Sequence, residues 1–387
     1  MQNISTLYEN VIPNQTQHYI LMAATSDFET ASQNWQLLKS YLNLDNLDRS
    51  QIEGTLLAQI YDKLDGASNR LLPMVYKNLQ ALDDPLLQSI KSFYRYTWAR
   101  NHYFLEQFKK LTSICESLHL KPTMLKGLST AFYYSDDPAI RVMEDIDVLV
   151  NPRYVDTLLD HLDKIYELLI PYKRNKKLNL IHAATYKFDK INVDIHWGIL
   201  HHVPEWNLYK KSDAIQVINQ EPHLSVLSPN YAFFHSITHG LLPNPFPTIR
   251  WISDCYLIQK KHTIDWHVII QLGIESNYIE PIRMATQILP AYSINIPATA
   301  IKLLNSIPIN TAYHRYIAKL HYYQQLNKHH IRRHLITKLK DRIELDYLYY
   351  KTYNGNILYI TFSFFTSAIK SAVESAFNLF VAIVLNS

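Results

Sequence analysis

Apolar side chains return at every third or fourth position through much of the first 120 residues, the spacing of helices with one buried face. Trp35, Leu38, Tyr41 and Leu42 mark one such face. The run Ser26-Asp27-Phe28-Glu29 ahead of it predicts a capping box, with Ser26 accepting from the backbone and Glu29 reaching back. Further helices are predicted over about 50–64, 69–82 and 86–119, whereas residues 1–25 read as polar and unpatterned. No strand pattern occurs before residue 120.

The period changes at Lys121-Pro122. Residues 122–126 read as a short strand ending at Gly127, and 145–150, DIDVLV, as a second. Residues 153–169 carry Val155, Leu158, Leu159, Leu162, Ile165 and Leu169 on one side of a predicted helix. Residues 183–188 and 192–199 alternate as a hairpin that turns at Asp189-Lys190. Helical spacing returns from about residue 229. The expected fold class is therefore α+β. A small mixed sheet, with helices 128–134 and 153–169 against it, lies between helical domains. The expected organisation is an N-terminal helical domain over 1–120, an α+β core over 121–200, a C-terminal helical domain over 201–345 and a hydrophobic segment over 346–387.

That last segment has two readings. Residues 357–385 hold only two charges, Lys370 and Glu374, and follow a basic stretch from Lys328 to Arg342. One reading is a membrane-associated helix with a basic flank. The other is a pair of packed helices. The apolar part of the uncharged run before Lys370, residues 357–369, is shorter than the ~18–20 residues a spanning helix needs.

Composition narrows the chemistry. The chain has seven glycines in 387 residues, where about 7% is usual, and none stands in a GxG or GxxG pair. This excludes the dinucleotide fingerprint, the P-loop and collagen. The net charge of +4 is too balanced to announce nucleic acid, which is not expected as a partner. Two cysteines, Cys115 and Cys255, make no disulfide framework and suggest a reducing cytoplasm. The first Lys or Arg is Lys39, so neither a secretory nor a transit leader is expected. The expected location is cytoplasmic, with peripheral membrane contact as the alternative that the tail leaves open.

Candidate chemistry concentrates in the predicted strands. Alternation puts Asp145, Asp147 and Leu149 on one face of DIDVLV and Ile146, Val148 and Val150 on the other. Two carboxylates about 7 Å apart along a strand repel unless a cation lies between them. Oxygen ligands favour Mg²⁺, which bridges to substrate phosphates. VDIHW repeats the device, with Asp194 and His196 on one face. Pairing of the two strands would gather three carboxylates, a ligand set for two metal ions. The competing structural account pairs the acids with Arg141 and Lys126. Upstream, Leu125-Lys126-Gly127-Leu128-Ser129 runs from strand through glycine into helix, a place where backbone N–H groups face an anion.

The run LKG, then Arg141, DIDVLV and VDIHW resembles the uncharacterised nucleotidyltransferase family of the DNA polymerase β-type superfamily. Asn34-Trp35-Gln36-Leu37-Leu38, Leu227-Ser228-Pro229, His235 to Gly240, and Arg250-Trp251-Ile252-Ser253-Asp254 extend the resemblance over about residues 26–275. It implies a nucleotidyltransferase core that uses two Mg²⁺ ions. Asp145, Asp147 and Asp194 are then catalytic and metal-binding, and Lys126, Gly127, Ser129 and Arg141 hold the nucleotide. The expected reaction moves an NMP from an NTP, ATP by default, to a hydroxyl of a small-molecule or protein acceptor. Leu128 separates Gly127 from Ser129, where the superfamily has Gly followed directly by Ser or Gly. That departure supports a second reading, a catalytically degenerate nucleotide-binding or interaction module.

Two further pairs stand four residues apart. His235 and His239 share a helix face and are expected to be buried or substrate-facing rather than metal ligands. Arg250 and Asp254 are expected to form an ion pair.

Overall fold

The computed structural model describes residues 12–44, 53–169, 183–200, 208–218, 221–241 and 249–316. Described residues up to 307 belong to one compact unit; those from 308 onward belong to another. The hydrophobic tail 357–385 and the basic stretch before it lie outside the described residues. Among the described residues, no helix is long and apolar enough to cross a membrane.

The described residues open with helices α1 (Gln15–Thr25), α2 (Phe28–Tyr41), α3 (Glu53–Lys63), α4 (Gly66–Asn69), α5 (Leu72–Leu79) and the long α6 (Pro85–Ser117). Helix α1 corrects the reading of 1–25 as unpatterned. Asn14 and Gln17 form a reciprocal capping box, and Ile20, Leu21, Ala23 and Ala24 are buried. Those apolar residues form a block instead of a stripe, which hid the period. Ser26 is not the cap of α2. Its N–H closes α1 on the Met22 carbonyl, and the Asp27 carboxylate caps α2 by accepting from Thr30 N at 3.1 Å. Asp84 ties this region together. It caps α6 and also accepts from Trp35 Nε1 at 3.2 Å and Lys39 Nζ at 2.6 Å.

Among the described residues the sheet is mixed and has seven strands in the order β3-β4-β5-β2-β1-β7-β6. They are β1 (Thr123–Met124), β2 (Asp145–Leu149), β3 (Glu167–Leu168), β4 (Ala183–Phe188), β5 (Ile191–His196), β6 (Ile215–Ile218) and β7 (Glu221–Leu227). The α+β expectation holds, with β3, β6 and β7 added to the four predicted strands. Strand β2 lies between β1, antiparallel, and β5, parallel. Its Ile146, Val148 and Val150 enter a core with Val193 and Ile195 of β5, Tyr186 and Phe188 of β4, and Phe104, Phe108 and Leu111 of α6. Each such buried side chain contributes roughly 1.5–3 kcal/mol, which fixes the register and turns the acids of β2 to the opposite face.

Two helices differ from expectation. Segment 153–169 is helical only over α8 (Val155–Leu162). Ile165 is exposed, and Tyr166 stacks on Phe188 with centroids 3.7 Å apart, drawing β3 onto β4. Residues 128–134 begin within α7 (Lys126–Ser129), which continues as one wide turn over Thr130–Tyr134. The C-terminal helices of this unit are α9 (Pro229–Gly240), α10 (Arg250–Lys261), α11 (Trp266–Glu275), α12 (Ile279–Ile288) and α13 (Ala298–Ser306).

Candidate functional site

The parallel ladder sets Asp147 of β2 opposite Asp194 of β5. Asp147 is buried and Asp194 half-buried. His196, two residues beyond Asp194 and on the same face, brings Nε2 to 2.8 Å from Asp147 Oδ1. Lys126 Nζ donates to that same oxygen at 2.6 Å. Thr185 on β4 donates its hydroxyl to Asp194 Oδ1 at 2.6 Å. One ligand atom each from Asp147, Asp194 and His196 lies within 4.8 Å of the others. Two carboxylates and an imidazole at that spacing offer a donor set for a divalent metal ion. Alternation in VDIHW already placed His196 beside Asp194; its reach across the ladder to Asp147 needs three dimensions.

Lys126 meets Asp147 from a backbone with φ of 46°, the left-handed region that costs a non-glycine residue roughly 1–2 kcal/mol. The ion pair offsets that cost. Next to it, Gly127 permits a close approach. A Cβ there would stand 2.8 Å from Met143 Cγ, so glycine lets the segment before β2 close against α7. Ser129 is buried, and its hydroxyl donates to the Lys126 carbonyl at 2.9 Å.

Lys126, Gly127, Ser129, Arg141, Asp145 and Asp147 all line one cavity of about 210 Å³, with Asp194 next across the sheet from Asp147. The opposite wall comes from α9 and α10, including His235, His239, Arg250 and Trp251. The two imidazoles lie 5.8 Å apart by ring centroid, as their spacing implied. Glycine is again required at the junction of these helices: a Cβ on Gly240 would stand 2.2 Å from Trp251 Cβ.

Arg141 is held differently from expectation. It is buried, and its Nε and Nη2 donate to Asp254 Oδ1 and Oδ2 at 2.6 and 2.9 Å. Asp254 is thus the partner of Arg141, 113 residues away, where sequence spacing suggested Arg250. A fixed fork on a carboxylate outcompetes a neighbour on the same helix. The segment carrying Arg141 is braced by α6, where Asn101 Nδ2 donates to the carbonyls of Pro138 and Arg141 at 2.6 and 2.8 Å.

The charges divide sharply. Burial would push the Asp147 carboxyl up, but the Lys126 charge and the His196 hydrogen bond outweigh it and hold the group below the usual carboxylate range. Asp145, exposed at the mouth, is pushed up by partial loss of water and then by the Asp147 charge. For Arg141, burial pulls downward and the Asp254 carboxylate more than offsets it. A buried acid that stays ionised beside an acid that resists ionisation is an arrangement ready to receive positive charge.

The family model described as uncharacterised nucleotidyltransferase matches residues 66–291, which include every strand among the described residues and every residue of the cavity wall. Among curated proteins, nothing matches the chain.

Proposed function

The chain belongs to the uncharacterised nucleotidyltransferase family, and from that premise we propose that it moves a nucleoside monophosphate from a nucleoside triphosphate to a hydroxyl acceptor, releasing pyrophosphate. The observation that carries this reading is the in-register pairing of Asp147 with Asp194, joined by His196, beside a cavity with a basic far wall. Asp145, Asp147 and Asp194 would hold divalent ions, with Mg²⁺ the expected ion and two the expected number, and His196 adds a nitrogen donor. Bound there, the metal supplies neutralisation of charge on the reacting phosphates.

The protein's own groups do the rest. Lys126 and the Gly127 turn receive phosphate oxygens, and the apolar face of β2 fixes the acids against the core. The acceptor oxygen bonds to the α-phosphorus while the bond from that phosphorus to the bridging oxygen breaks. Pyrophosphate leaves, and the hydroxyl proton passes to the Asp194 carboxylate. Positioning and charge stabilisation supply the rate, with no covalent enzyme intermediate. ATP is the default donor, and the acceptor is a small molecule or protein.

The Lys126–Asp147 ion pair favours a second reading, in which the site holds nucleotide without turning it over. The deciding experiment incubates the protein with each α-labelled NTP, Mg²⁺ and cell extract. Transfer of label to an acceptor with matching pyrophosphate release supports the enzyme. Label that binds and is never transferred, with any of the four NTPs, supports the second reading.

A further inference from the structure

Three arginines gather near the basic wall, and two are matched. Arg141 holds Asp254 through two hydrogen bonds, and Arg70, between α4 and α5, pairs with Glu144. Arg250, the first residue of α10, is half-buried and lines the cavity. Its hydrogen bond is to the Val142 carbonyl at 3.4 Å, and among the described residues no carboxylate stands within ion-pair distance. Burial, then the charges of Arg141 and Arg70, push its guanidinium down to about 9. Asp254 and Glu144 pull the other way and do not make up the loss. A guanidinium left short of counter-charge is costly to the fold, and an arriving anion offsets that cost. Guanidinium forks also match phosphate oxygens two at a time.

Resting on nucleotidyl transfer as the reaction, we propose that Arg250 is the guanidinium that holds the β- and γ-phosphates of the nucleotide, and so the departing pyrophosphate, while Arg141 is a positioning residue that anchors α10. The ligand must present one anionic stretch both to the acids of β2, through metal, and to Arg250 on the opposite wall. A polyphosphate offers such a stretch. The assignment moves the phosphate role from Arg141, where sequence order put it, to a residue 109 positions later on another element.

Inorganic tripolyphosphate, which has no base or sugar, is the direct probe. Its binding is measured by calorimetry, with Mg²⁺ and separately with chelator, for wild type, Arg250→Gln, Arg250→Lys and Arg141→Lys. The proposal expects Arg250→Gln to lose at least tenfold in tripolyphosphate affinity while melting at or above the wild-type temperature, because an unmatched buried charge is gone. Arg250→Lys should bind with intermediate affinity, and it carries the test alone if the Gln variant does not fold. Arg141→Lys should melt lower, with tripolyphosphate affinity, measured below its melting range, within threefold of wild type. Wild-type affinity in both Arg250 variants, or no tripolyphosphate binding by wild type, overturns the assignment. NTP turnover is scored separately. Turnover unchanged in Arg250→Gln refutes the subsite alone, whereas Arg250-dependent tripolyphosphate binding without turnover of any NTP refutes the reaction and keeps the subsite.

Discussion

Lys126 Nζ sits 2.6 Å from Asp147 Oδ1, so the buried carboxylate of β2 already carries a cation supplied by the protein. A metal ion at Asp147 must take the second oxygen, share this one with Lys126 and His196, or displace the ammonium. Displacement would release Lys126 toward the phosphates at the moment the metal arrives, linking the two binding events.

Replacing Lys126 by Met tests this linkage. Without nucleotide, Mn²⁺ should bind about tenfold more tightly to Lys126→Met, equivalent to ~1.4 kcal/mol of removed competition. Tripolyphosphate binding should weaken in the same variant. The fold should lose about 1–3 kcal/mol, since Asp147 loses the ammonium that pairs with it. Calorimetry with Mn²⁺ alone gives the answer, and equal or weaker Mn²⁺ binding in the variant would end the competition model.

The two acids of β2 should respond oppositely to amidation. Asp147 has a lowered folded value, so its charge stabilises the protein above its unfolded value of about 3.9, and this contribution is lost as pH falls through the folded value. Asp145 has a raised folded value, so ionising it near neutral pH works against the fold, softened by exposure. At pH 7, Asp147→Asn should lower Tm and Asp145→Asn should raise it slightly. As pH is lowered past about 4 the Asp147→Asn deficit should shrink. Melting curves across pH 3–8 decide it, and a deficit that grows on acidification would contradict the assignment.

Arg141→Lys should cost more than a surface exchange. The pair with Asp254 is buried on both sides and two-pronged, and lysine can replace only one prong. Breaking such a pair costs about 3–5 kcal/mol when one partner is removed outright, and retaining a charge reduces the loss to about half. Denaturant unfolding should show a lower midpoint with an unchanged slope. A midpoint within error of wild type would mean that α10 is anchored by other contacts.

Gly240→Ala should be among the most damaging small changes in this unit. The added methyl would meet Trp251 Cβ and Cγ at 2.2 Å, a distance no rotamer relieves because Cβ is fixed to the backbone. Helices α9 and α10 would have to separate, costing about 1–3 kcal/mol and opening the basic wall. Gly127→Ala meets the flexible Met143 side chain instead and should be milder. Comparing the two Tm shifts checks the difference. Equal losses would show that the α9–α10 approach has slack.

DIDVLV and the 183–196 hairpin were legible because a strand with one buried face writes its period directly into sequence. The same alternation put Asp145 and Asp147 together, and Asp194 with His196. Strand β7 was missed because Pro222 and His223 interrupt its alternation, and β6 because four residues are too few to show a period. Helix α1 was hidden by a block of apolar residues, although Asn14 and Gln17 supplied a start signal. Sequence could not show that Arg141 reaches Asp254 or that Arg250 has no ion-pair partner among the described residues. Those facts depend on which helices the sheet brings together, and a spacing of four on α10 pointed to the wrong pair.

His196 separates two ways of building the metal site. As a ligand, its imidazole favours later first-row ions over Mg²⁺. As an orienting group, it only steadies Asp147 and would leave that preference alone. A ring nitrogen of His196 within 4.8 Å of ligand atoms on both Asp147 and Asp194 fits the ligand role. His196→Gln keeps a donor toward Asp147 and removes the imidazole. Divalent-ion affinity should then fall about 10–100-fold, and the preference for Mn²⁺ over Mg²⁺ should narrow. Manganese titration by electron paramagnetic resonance, with Mg²⁺ as competitor, reads both quantities without requiring turnover. A uniform loss with the Mn²⁺:Mg²⁺ ratio unchanged would assign His196 to orienting Asp147, and unchanged affinity would remove it from the site.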